Sequence, residues 1–171
     1  MIDIFGRNSI LQGRALTRLG AASDFPFLVL VQARSMSPEQ LVKTIERSGL
    51  AGKGGAGFLT YRKVELMRRQ VSDRKYLVVN GSEHEPGSLK DRYLLENHPE
   101  TVLEGALIVA HAAGVREVLI TIAESATVAM ASCSAAIESM AACIGSEGAP
   151  VKVKLVPVPD SYMVGEESAL L

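Results

Sequence analysis

Apolar positions along the chain follow two rhythms, short continuous runs and helical spacings of three and four. Phe27-Leu28-Val29-Leu30-Val31 is unbroken, so Phe27–Gln32 is predicted as a strand covered on both faces. Before it, residues 1–24 are polar and mixed, with a short helix expected around Leu11–Leu19 and stopped by Gly20. Ser37-Pro38-Glu39-Gln40 reads as a helix start. Ser37 is the cap, Pro38 takes the first helical position and Gln40 completes a capping box. Leu41 and Ile45 share one face, and Gly49 stops the helix.

Within Tyr61–Val71, Val64, Met67 and Val71 again recur at helical spacing. Tyr76–Val79 is the next apolar strand, and Lys90–Glu96 a short helix broken at His98-Pro99. Glu100–Ala113 aligns Leu103, Leu107 and Ala110 on one face before Gly114 stops it. Val118–Ala123 forms a further strand, and Ser125 is the expected cap of a long Ala-, Met- and Ser-rich helix ending near Gly145. Val151–Val156 alternates valine and lysine in its first half, as a half-exposed edge strand does. Strands alternating with helices predict the α/β class: a mainly parallel, Rossmann-like sheet flanked by helices, in a single domain. The closing Leu170-Leu171 has no polar cap and reads as an element truncated at the C-terminus, or as one that needs covering by another chain.

Composition narrows the partners. The 171 residues are 47% hydrophobic with a net charge of −1, which fits one domain and leaves no basic footprint for nucleic acid. No basic region followed by an apolar run opens the chain, so no signal peptide is expected. The run at 27–31 is too short to span a bilayer. Cys133 and Cys143 are ten apart in the same expected helix, about 15 Å at 1.5 Å per residue, beyond disulfide reach. With no Cys-x-x-Cys, no zinc or iron–sulfur site is expected in the chain, and a reducing cytoplasm is the natural compartment.

Three stretches carry candidate chemistry. Residues 49–57 hold five glycines and one lysine. Such a loop is either a cradle of backbone amides for a phosphate or an ordinary flexible connection, and composition does not separate the two. Gly52-x-Gly54-x-x-Gly57 matches the dinucleotide fingerprint as a string, but that fingerprint leaves a strand, and here a helix precedes it. A P-loop is also excluded, because Lys53 is followed by Gly54 rather than Ser or Thr. Lys63 in the first turn of the next helix opposes its dipole, which suits a lysine facing an anion; plain solvent exposure is the alternative. Asn80–Gly87 follows the carboxyl end of a strand, the favoured ligand position in open α/β sheets, and carries Asn80, Glu83, His84 and Glu85. Its Asn-Gly and Pro-Gly pairs equally suit a turn. Tyr162–Leu171 reads as a loop opening a helix, with Glu166 and Glu167 in its first turn.

Taken together, GLAGKGGAGF at residues 49–58, NGSEHEPGSLKDR at 80–92 and GEESALL at 165–171 resemble the flavin-binding 51 kDa subunit of NADH:quinone oxidoreductase (respiratory complex I). The same module occurs in NAD-reducing hydrogenases and formate dehydrogenases. Met36–Gly49 resembles the helix before that family's glycine loop, so the chain divides into an N-terminal segment, 1–35, and an FMN- and NADH-binding domain, 36–171. The resemblance implies a noncovalent FMN held by Gly52, Lys53, Gly54, Lys63, Asn80, Glu83, Gly165, Glu166 and Glu167. It also implies NADH contacts from Phe58, Glu85 and Glu167. The flavin would supply the hydride chemistry, so no side chain is assigned as catalytic acid or base.

There are departures. Lys53 stands for the family's Arg, Leu59 and Tyr61 for a Pro and a Gly, Ser82 for an Asp and His84 for a Gly. The family's later domains, including its four-cysteine cluster, are missing from these 171 residues. The expected function is therefore an FMN-binding NADH dehydrogenase module that passes electrons to an iron–sulfur partner subunit, in the cytoplasm or on the cytoplasmic side of a membrane complex. A non-catalytic flavin- or nucleotide-binding accessory subunit is the alternative.

Overall fold

The computed structural model describes residues 27–52, 57–72, 74–83, 87–144 and 150–161; the short helix expected around Leu11–Leu19 lies outside them. The helices are α1 (Leu28–Arg34), α2 (Pro38–Ser48), α3 (Thr60–Arg69), α4 (Lys90–Asn97), α5 (Pro99–Ala113), α6 (Thr127–Ser139) and α7 (Ala141–Ile144). The strands are β1 (Tyr76–Asn80), β2 (Glu117–Ala123) and β3 (Lys152–Val158). These elements form two compact units. Among the described residues, one comprises Tyr76–Leu103 and those between Arg116 and Ser161; the other comprises those between Phe27 and Lys75 with Glu104–Val115.

The first unit is the sheet. Its order is β1-β2-β3, parallel throughout, with Val78 opposite Leu119 and Val118 opposite Val153. Central β2 buries Val118, Ile120 and Ile122, the near-continuous apolar strand that a covered parallel sheet requires. Marginal β3 exposes Lys152 and Lys154, in keeping with the alternation read there. Helix α6 buries Ala129, Cys133 and Ala136, small residues three or four apart, and it packs against α4. The Cys133 thiol donates to the Leu95 carbonyl at 3.7 Å. Ser125 is not the cap of this helix. Its amide and hydroxyl both donate to the Asp160 carboxylate, at 3.1 and 2.5 Å, and α6 starts after Ala126 with no side-chain cap. The helix also stops at Met140, before a separate short α7, so Cys143 is not on the helix of Cys133.

The second unit is helical, and it overturns one expectation. Phe27–Gln32 is not a strand: Phe27 is the cap position of helix α1 and Leu28–Gln32 are its first residues. A short apolar run fits a buried helix as well as a buried strand, and the burial here is helical. Leu30 and Ala33 are buried while Val31 is 61% exposed. What favours the helix is a distant acceptor: the Glu104 carboxylate, on α5, accepts the Leu30 amide at 2.9 Å and also the Val29 amide. First-turn amides have no partner within their own helix. The α/β class and parallel sheet hold, with three described strands rather than four.

The local signals around α2 behave as read. Ser37 and Gln40 form the capping box, Pro38 opens the helix and Gly49 closes it at φ 64°. Leu41, Val42 and Ile45 are buried, and Arg68 of α3 pairs with Glu39 of α2. Helix α3 is shorter than the spacing predicts. Gln70 is already extended, at φ −68° and ψ 129°, and Val71 lies beyond the helix, wholly exposed.

Glu104 is only 8% exposed. Burial pushes its carboxyl above the ordinary value of 4.5, with the Leu30 and Val29 amides pulling it partly back. A raised native value means that Glu104 favours the fold most below pH 4.5, and that this contribution is lost as pH rises through the native value. Glu104→Ala, which strips the acceptor from buried amides, is expected to cost about 1–3 kcal/mol in urea unfolding. Glu104→Gln keeps an acceptor oxygen and should flatten the fall in stability above pH 4.5.

Candidate functional site

The glycine-rich segment begins as a narrow hairpin. The Thr60 amide donates to the Leu50 carbonyl at 2.9 Å, and the Gly52 amide to the Phe58 carbonyl at 2.8 Å. Ala51 and Leu59 form an antiparallel bridge between these two bonds. The loop is therefore pinned at its neck, and the Gly52 amide is engaged there. Thr60, 2% exposed, then opens α3. One turn on, the Lys63 ammonium lies 5.6 Å from the centroid of the Phe58 ring, within cation–π range. Phe58 remains 42% exposed. The structure thus brings Gly52, Phe58 and Lys63 together at the base of the loop. Lys53 and Gly54 lie outside the described residues.

The second group stands at the carboxyl end of β1. Asn80 Oδ1 accepts from the Ser82 amide at 3.0 Å, the Ser82 hydroxyl at 2.6 Å and the Thr121 hydroxyl at 3.4 Å, which fixes the orientation of its amide. Between them, the Gly81 amide bonds the Thr121 carbonyl at 2.9 Å. A Cβ on Gly81 would sit 2.5 Å from Leu95 Cδ1 and 2.9 Å from the Thr121 carbonyl oxygen, so close approach to β2 requires glycine here.

Glu83 turns toward α4. Oε1 accepts the Ser88 hydroxyl and lies 3.3 Å from the Lys90 ammonium, and Oε2 accepts the Asp91 amide at 2.9 Å. The Glu83 side chain is 6% exposed. Burial alone would raise its carboxyl, but Ser88, the Asp91 amide and Lys90 outweigh it and hold the group below its ordinary value. Glu85, Gly165, Glu166 and Glu167 lie outside the described residues.

Sequence reasoning missed Gly81, Ser88, Lys90 and Thr121. Ser88 followed by Asp91 has the spacing of a capping box, a signal that pointed to the right place. The acceptor used, however, comes from Glu83. Among the described residues, no three His, Cys, Asp or Glu side chains converge as a metal site. No described helix is long and apolar enough to cross a membrane. Burial, with Glu100 nearby, pushes the Cys133 thiol up to about 11, which leaves it unreactive.

Comparison with known proteins bears on the same stretches. Residues 45–171 match the family model described as the Nuo51 FMN-binding domain. The chain is 31% identical over 154 residues to an NADH-quinone oxidoreductase subunit of Aquifex aeolicus, covering 86% of this chain and 36% of that protein. It is 45% identical over 89 residues to the alpha subunit of the NAD-reducing hydrogenase HoxS of Cupriavidus necator, covering 52% of this chain and 15% of that one. Among solved structures, an NAD+-reducing NiFe-hydrogenase in the H2-reduced state superposes with a TM-score of 0.83 at 29% identity, over 92% of this chain and 27% of that one. The chain thus spans well under half the length of these relatives.

Two substitutions test the strand-end geometry. Gly81→Ala must displace either Leu95 or the β2 backbone, and should cost about 1–3 kcal/mol in chemical denaturation. Glu83 has a lowered native value, so its contribution is present above pH 4.5 and lost as pH falls through that native value. Glu83→Gln should remove this acid-side loss from a series of thermal melts.

Proposed function

The chain belongs to the Nuo51 FMN-binding-domain family, and from that premise we propose that it binds FMN, accepts hydride from NADH and passes electrons to a partner subunit. One observation carries the reading. The glycine loop is pinned at its neck by two backbone bonds, with the Lys63 cation beside the exposed Phe58 ring at its base. A cation and an aromatic face beside a glycine-rich loop suit a phosphate joined to a flat ring. These residues fit FMN and a nicotinamide nucleotide.

Within this reading, Lys53, Gly54 and Lys63 hold the flavin and its phosphate, while Gly52 shapes the neck of the loop. Phe58 offers its face to the nucleotide. Asn80, with an amide of fixed orientation, and Glu83 are further flavin residues by the family resemblance. Glu85 and Glu167 contact NADH, and Gly165 and Glu166 complete the flavin's surroundings. FMN, when bound, supplies the hydride chemistry. The relatives named above are subunits of larger enzymes, which supports a partner subunit; an iron–sulfur protein as the electron acceptor and the cytoplasm as the place of work complete the proposal.

Purified with its neighbouring subunits, the full chain is expected to be yellow, with flavin absorbance that bleaches on anaerobic addition of NADH. Flavin bound without bleaching would favour an accessory role, and absence of flavin would overturn the proposal. Lys63→Ala removes a charge-assisted contact and should raise the FMN Kd about 10- to 100-fold in a flavin-fluorescence titration.

A further inference from the structure

We propose that Ser88 is a positioning residue of the nucleotide site, acting through Glu83, an inference that rests on the FMN and NADH reading above. Helix α4 supplies no side-chain cap of its own, and the Glu83 carboxylate takes that place by accepting the Asp91 amide. The same carboxylate receives the Ser88 hydroxyl. Three bonds therefore link described residues between β1 and α4: Ser82 to Asn80, Ser88 to Glu83, and Asp91 to Glu83.

The three partners of Glu83 differ in kind. The Asp91 contact is a backbone amide. Lys90 is 57% exposed and also pairs with the Asp91 carboxylate at 2.5 Å, so solvent and a competing anion dilute its pull. Ser88 is partly buried, neutral and committed to Glu83. It is the side chain that keeps a nearly buried carboxylate aimed at α4.

A Glu83 side chain already held in one orientation spares an incoming ligand the entropy of ordering it. Among the described residues, the charged groups facing Glu83 are Lys90 and, through Lys90, Asp91, both on α4. Asn80, Ser82 and Thr121, which β1, β2 and the connection bring to this end of the sheet, carry no charge.

The test uses the full chain in its complex, comparing wild type, Ser88→Ala and Ser88→Thr by FMN fluorescence titration across pH 4–8. Ser88→Ala is expected to raise the FMN Kd about tenfold and to move the acid limb of binding up by about one pH unit. Ser88→Thr, which keeps the hydroxyl, should restore both. Wild-type Kd and acid limb in Ser88→Ala, or a loss that Thr does not repair, would overturn the proposal. A wild-type chain that binds no FMN would fail the functional reading itself and this proposal with it. Wild-type binding with an unmoved Ser88→Ala would sink only the positioning role.

Discussion

The constraint behind much of this structure is that amide groups in the first turn of a helix have no acceptor within that helix. Two helices here meet it with a carboxylate from elsewhere in the chain. Helix α1 uses Glu104, seventy-four residues from Leu30. Helix α4 uses Glu83, eight residues before Asp91. Neither helix has a side-chain cap of its own. Each carboxylate thereby ties a helix start to another part of its own unit, and each lies out of water to do so.

The electrostatic outcomes are opposite, and the donor sets explain why. Among the described residues, Glu104 meets the neutral Leu30 and Val29 amides in a buried setting, so desolvation wins and its carboxyl rises. Glu83 is also well covered, but a hydroxyl, an amide and an ammonium converge on it, and together they overcome burial. The same capping device therefore favours the fold on the acid side at Glu104 and on the neutral side at Glu83. Of the two, only Glu83 stands beside candidate ligand residues, where a lasting negative charge has chemical consequences.

What the sequence disclosed depended on how far each interaction reached. The start of α2 was legible because Ser37, Pro38 and Gln40 are neighbours and each acts within one turn. The strands at Tyr76, Val118 and Val151 were legible because burial of a parallel sheet writes itself as an apolar run. Phe27–Gln32 was misread for the same reason: a short apolar run has no period of its own, and the choice fell to Glu104 far along the chain. Ser125 was misread because Asp160, thirty-five residues on, competes for its hydroxyl. Val71 matched the helical spacing of Val64 and Met67, yet the backbone turns extended at Gln70, and periodicity alone does not mark such an end.

The candidate site shows the same division at finer grain. Glycine content singled out residues 49–57, but composition treats every amide in a glycine loop as equally available. The fold does not. The Gly52 amide closes the neck against the Phe58 carbonyl, so that donor is already engaged within the chain. Pinning the neck withdraws one donor and in exchange fixes the two ends from which the loop springs. The short hairpin between Leu50 and Thr60 is thus a structural feature that glycine content alone does not announce.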